Sequence, residues 1–193
     1  MTAHAIEVAG LTKRFDSVTA VDDLNLTVEQ GELYGLVGPD GAGKTTTMRL
    51  LSSIMLPDAG AARVDGLDTV ADAESVKERI GYMSQRFGLY EDLSVDENIA
   101  FYADCYGVPR AGREKKIDEL LAFSDMAPFR GRLAGKLSGG IKQKLGLMCA
   151  LVHTPKVLLL DEPTNGVDPS SRRDFWRILG RLVLKGVTVF VST

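Results

Sequence analysis

A chain of 193 residues, 45% hydrophobic and 25% charged, can bury one sizeable core and has the balance of a globular protein rather than a disordered or fibrous one. Its net charge of −3, from 23 Lys and Arg against 26 Asp and Glu, supplies no positive field, so no nucleic-acid partner is expected. Cys105 and Cys149 lack C-x-x-C or metal spacing and read as reduced thiols, and no apolar run approaches the roughly 20 residues of a membrane span.

Ile6 and Val8, then Leu24, Leu26 and Val28, alternate with polar residues as half-buried strands do; turn residues at 22–23 and 30–31 mark them off as an antiparallel edge. Residues 33–37 (LYGLV) are almost continuously apolar, which predicts a parallel-sheet strand buried on both faces. Residues 38–45 (GPDGAGKT) fit G-x-x-x-x-G-K-[ST], and a helical pattern follows at 46–54. Strand, glycine loop and helix in this order make a phosphate cradle, because glycines let successive N–H groups point inward while the helix presents its positive dipole end. Lys44 is expected to reach the β- and γ-phosphates of a nucleoside triphosphate, and the Thr45 hydroxyl to ligate Mg2+.

Helical patterns follow at 96–106, 113–123 and 138–152; the charge run at 113–116 (REKK) reads as a solvated helix face. Ser138 is a good N-cap, and Gly139 and Gly140 leave N–H groups open to an anion, although an ordinary capped helix accounts for the same residues. Residues 157–160 (VLLL) and 187–191 (VTVFV) again read as buried strands, separated by a helix at 170–184 on which Trp176 reads as core or boundary packing. The first of these strands ends in Asp161 and Glu162, and strand C-termini of open α/β sheets are where ligands bind. Beside a phosphate loop, Asp161 is the expected Mg2+ partner and Glu162 the expected base or water-orienting carboxylate. The predicted fold is α/β: a P-loop NTPase core with a mostly parallel sheet, an antiparallel β edge and an inserted α-helical subdomain.

Three runs in order, GPDGAGKTT, LSGGIKQKL and VLLLDEPTNGVDP, resemble the ATP-binding subunit of an ABC transporter over essentially the whole chain. The resemblance implies ATP and Mg2+ as cofactors, with Gly38, Pro39, Asp40, Gly41, Ala42, Gly43, Lys44, Thr45 and Thr46 as the Walker A loop. It implies a head-to-tail pair of such domains, in which Ser138, Gly139 and Gly140 contact the γ-phosphate held by the partner's loop. Gln85 matches the Q-loop glutamine, which contacts Mg2+ or the attacking water, and Phe15 the aromatic that stacks on adenine. Residues 166–168 (GVD) resemble the D-loop, with Val167 where Leu is usual.

Three departures accompany the resemblance. Asp40 stands where Asn is usual and adds a negative charge near a polyanion, Ile141 stands where many members have Gln, and the switch histidine is expected after Thr193. The domain is accordingly expected to be C-terminally incomplete, with residues 1–85 and 151–193 as nucleotide-binding core and 86–150 as helical subdomain. His153 precedes the Walker B strand and reads as a helix-end histidine instead. Residues 44–49 (KTTTMR) and 93–98 (LSVDEN) resemble bacterial drug, lipid or polysaccharide exporters. That implies a membrane-spanning permease as partner and a cytoplasmic location, peripheral on the inner face of the membrane. A soluble ABC ATPase of translation or DNA maintenance, and a non-catalytic nucleotide-binding module, share these motifs.

Overall fold

The computed structural model describes residues 4–85 and 88–193. Strands β1 (His4–Phe15) and β2 (Val18–Glu29) form a long antiparallel hairpin, with Phe15 facing Val18 across its turn. Then come β3 (Leu33–Leu36), α1 (Lys44–Leu51), β4 (Ala59–Val64), β5 (Leu67–Asp68), α2 (Ala73–Arg79) and β6 (Ile80–Met83). Helices α3 (Val95–Cys105), α4 (Arg113–Phe123) and α5 (Gly139–Leu151) precede β7 (Val157–Asp161), α6 (Pro169–Leu184) and β8 (Thr188–Ser192). The first sheet is antiparallel in the order β2-β1-β4-β5, and the second is parallel in the order β3-β8-β7-β6.

Alternation along the parallel strands sorts the interior into two layers. Leu158, Leu160, Val189 and Val191 face one way and pack with α3, α4, α5 and α6. Val157, Leu159 and Phe190 face the other way, against α1 and the antiparallel sheet. The sheet is thus a common wall, and β7 and β8, buried throughout, are its centre.

The expected elements are present, with three differences. Residues 33–37 do not lie buried on both faces: β3 is a sheet edge with β8 alone beside it, and Leu33 and Val37 are 40% and 78% exposed. An apolar run cannot reveal whether a second strand lies alongside. Helix α1 stops before the end of its apolar pattern because Ser53 turns left-handed (φ 57°) and the Ile54 and Met55 N–H groups both donate to the Arg49 carbonyl. The third difference is β4, β5, α2 and β6, for which residues 59–83 carry weak local signals. A side chain at Gly60 would fall 2.2 Å from the Gly10 carbonyl oxygen, and one at Gly81 2.4 Å from that of Ala150, so these strands are specified by close approach rather than by branched residues.

His153 follows α5, as a helix-end residue. Its Nε2 donates to the Ile80 carbonyl at 2.8 Å, and its ring stacks on Tyr106 at 3.8 Å. Burial lowers its pKa from the ordinary 6.5, the bond to Ile80 opposes the shift, and the Lys116 charge adds to it. The unfolded chain therefore binds this proton first, so stability should fall as pH drops through 6.5 and level off below the folded-state value. Between about pH 7.5 and 5.5 the melting midpoint is expected to drop further in the wild type than in His153→Gln. Equal drops would assign the acid sensitivity to other groups.

Candidate active site

The site forms at the C-terminal ends of the parallel strands. The loop leaving β3 turns into α1 at Gly43, whose φ is 81°; a Cβ there would sit 2.0 Å from the Ala20 carbonyl oxygen of β2. Only glycine can therefore bring the hairpin against the start of α1, where the first N–H groups have no partners within the helix. Lys44, 7% exposed, folds back over the loop: its Nζ donates to the carbonyls of Gly38 at 2.6 Å and Pro39 at 3.1 Å. The same ammonium lies 3.3 Å from Glu162 Oε1.

Glu162 leaves β7 in a left-handed conformation (φ 47°), which swings its carboxylate toward the loop. Its Oε2 accepts from Gln85 Nε2 at 3.0 Å and from Asn165 Nδ2 at 3.1 Å. Each of these polar neighbours is a donor, so the carboxylate is held in place by the protein's own groups. Asp161 lies beneath, 1% exposed; its Oδ1 accepts from Ser192 Oγ at 2.8 Å, and its Oδ2 is buried with no partner among the described residues. Tyr82 has its pKa raised, first by burial and then by the Asp161 charge.

Two clefts flank this cluster. One, of about 470 Å3, is lined by Gly38, Pro39, Thr164, Arg172 and Trp176 among others; the other, of about 360 Å3, by Ala20, Gly41, Ala42, Thr45, Thr46 and Gln85 among others. Asp40, Lys44, Glu162 and Asn165 line both, so every residue expected for the loop borders one cleft or the other. Asp40 is exposed. Trp176 packs against the helical core, as expected, and also borders the larger cleft.

Ser138, Gly139 and Gly140 line neither cleft. Ser138 and Gly139 are exposed at the start of α5, whereas Gly140 is buried: a Cβ there would meet Ser171 Cβ of α6 at 2.3 Å. Phe15 is also outside the clefts, 43% exposed near the hairpin tip, with Lys13 Nζ 5.7 Å from its ring centroid. Asp168 caps α6, and hydrogen bonds from Ser171 and Ser170 lower its pKa.

Two contributors escaped the sequence reading. Asn165 lies in the quoted run only three residues beyond Glu162, where the turn brings its N–H to the Glu162 carbonyl at 3.2 Å. Ser192 has no local signal at all; it meets Asp161 because parallel pairing of β7 and β8 sets the two side by side.

The residues present fit a hard divalent cation. An unpartnered buried carboxylate oxygen is costly without one, and Thr45 adds a second oxygen donor in the adjoining cleft. Among the described residues no group of three His, Cys, Asp or Glu side chains could hold an ion by itself. One carboxylate with a hydroxyl is instead the donor set Mg2+ accepts when phosphate oxygens supply other positions.

The profile of the family described as ABC transporter matches residues 21–165. A probable multidrug ABC transporter ATP-binding protein of Escherichia coli is 50% identical over 195 aligned residues, which cover 100% of this chain and 34% of that protein. The daunorubicin/doxorubicin resistance ATP-binding protein of Streptomyces peucetius is 39% identical, over 98% of this chain and 58% of its own length. The chain therefore spans only a part of these relatives. Among solved structures, cbiO1 of Clostridium perfringens, part of the ABC transporter complex cbiONQ, superposes with a TM-score of 0.89 at 26% identity, over 98% of this chain and 78% of that one. Parallel sheet, phosphate loop, convergent carboxylates and sequence match agree that this chain belongs to the ABC transporter family.

Proposed function

We propose that the chain binds ATP with Mg2+ in the two clefts and hydrolyses it, and that in the whole protein this drives export of a compound through a membrane-spanning permease. The observation that carries the reading is the convergence of three separate segments, carrying Lys44, Gln85 and the Glu162–Asn165 turn, onto one point between the clefts. Lys44 would give up its loop carbonyls for the β- and γ-phosphates, while Gln85 and Asn165 keep the Glu162 carboxylate aimed at a water beside the γ-phosphate. Asp161 and Thr45 would hold Mg2+, whose contribution is to neutralise charge developing on the phosphate oxygens. Phe15, exposed on the hairpin that also supplies Ala20 to the phosphate cleft, is the proposed platform for adenine.

Ser138 and Gly139 are exposed and line neither of the chain's own clefts, which supports their use by a second ATPase domain stacked head to tail. Gly140 contributes by letting α5 and α6 approach. Residues 1–85 and 151–193 would carry the nucleotide, and 86–150 the helices that present this signature. Among the described residues no helix is long and apolar enough to cross a membrane. The ATP-binding-protein names of the transporter relatives support assigning the membrane path to a partner, with this chain peripheral on its cytoplasmic face. Export as the direction rests on the drug-resistance and multidrug names of the relatives.

Isolation of the whole protein from its native host, followed by assay of phosphate release, tests this reading. The expected result is Mg2+-dependent ATP turnover in a complex with a polytopic membrane protein. Recovery with ribosomes or DNA instead would place the chain among soluble ABC ATPases, and nucleotide binding with no turnover in the complex would make it a regulatory module.

A further inference from the structure

We infer that Ser192 is a positioning residue for Mg2+: its hydroxyl fixes the Asp161 carboxylate so that one oxygen is spent on the protein and the other is left for the metal. The inference rests on the nucleotide-site reading above and concerns a residue that no motif singles out. Ser192 is 0% exposed at the end of β8, with its backbone directly opposite Asp161 in the parallel register. Its Oγ donates to Asp161 Oδ1 at 2.8 Å and accepts the Glu162 N–H at 3.0 Å. A serine hydroxyl has one proton, and here it is committed to Oδ1. Asp161 therefore cannot turn to exchange its oxygens without breaking that bond, and Oδ2 stays buried with no partner among the described residues. The N–H bond serves the neighbouring residue, pinning Glu162 in its left-handed conformation just where the chain leaves the strand. A single hydroxyl thus couples the orientation of the carboxylate assigned to the metal to that of the carboxylate assigned to the water.

Groups that orient a metal ligand typically contribute 10–100-fold to metal affinity, which sets the expected effect. A non-hydrolysable ATP analogue is titrated calorimetrically into wild type, Ser192→Ala, Ser192→Cys and Ser192→Thr, each with excess Mg2+ and again with EDTA. The quantity read is the ratio of the two affinities. In Ser192→Ala the Mg2+ enhancement is expected to shrink by about 10-fold or more while the EDTA affinity stays at the wild-type level. Ser192→Cys, close in size but a poor donor, should behave similarly, so the test survives if the alanine variant does not fold. Ser192→Thr keeps a hydroxyl and should recover most of the enhancement. A wild-type Mg2+ enhancement in both the Ala and Cys variants overturns the inference. So does parallel loss in the Mg2+ and EDTA arms, which would mean that Ser192 supports the fold alone. Failure of the wild type itself to bind the analogue in either arm would be a different result, striking at the nucleotide site rather than at Ser192.

Discussion

Replacing Glu162 by glutamine should leave ATP bound and slow its hydrolysis by on the order of 10²-fold or more. The amide keeps the shape of the carboxylate but has no basicity, so a water beside the γ-phosphate loses the group proposed to take its proton. The position of Lys44 adds a second expectation. Glu162 Oε1 lies 3.3 Å from Lys44 Nζ, so the carboxylate competes with phosphate for the same ammonium. Glu162→Gln releases Lys44 from that competition, and affinity for ATP should hold or rise. Phosphate release under saturating Mg2+-ATP, with calorimetric titration alongside, reads both effects in the whole protein. Wild-type turnover would remove Glu162 from the chemistry, while a large loss of affinity would mean that its ion pair with Lys44 shapes the loop itself.

Lys44→Ala is expected to act on the opposite term and abolish most ATP binding. The ammonium is satisfied by the Gly38 and Pro39 carbonyls and by Glu162, all of which phosphate oxygens can replace. A hydrogen bond to an ionised group contributes about 1.5–3 kcal/mol, so two such bonds to phosphate correspond to a loss of roughly 100-fold in affinity or more. The backbone cradle has dipoles but no net charge and cannot substitute for the lysine. Titration of Mg2+-ATP into the variant, with a thermal melt confirming that it is folded, checks this. Unchanged affinity would sink the assignment of residues 38–46 as the phosphate site.

These two variants separate what the loop holds from what the strand ends do, a division that sequence and tertiary structure reveal unequally. The phosphate loop, the paired carboxylates and the α5 N-terminus could be read directly because each is local. A glycine loop between strand and helix, or two acids closing an apolar run, has a chemical meaning that does not depend on the rest of the chain. The helices at 96–106, 113–123, 138–152 and 170–184 were legible for the same reason, since a 3.6-residue period is a short-range pattern. The long strand run at 33–37 was read correctly as a strand and wrongly as interior, because lateral pairing is a property of the sheet.

The resemblance already assigned Gln85, Asp161 and Glu162 to one nucleotide; what only the fold decided is which side chains touch one another there, and that Ser192 and Asn165 join them. Gln85 reaches Glu162 across 77 positions, and Ser192 reaches Asp161 across 31, in both cases by side-chain bonds that no spacing rule encodes. The need for glycine at 43 is likewise set by Ala20 on another strand, and the burial of Gly140 by Ser171 on another helix. Sequence by itself determined the kinds of group present and the local shapes that display them. The parallel register of β7 and β8, and the packing of the hairpin on α1, determined which of those groups meet, because hydrogen bonds act over about 3 Å and only the folded chain brings such positions that close.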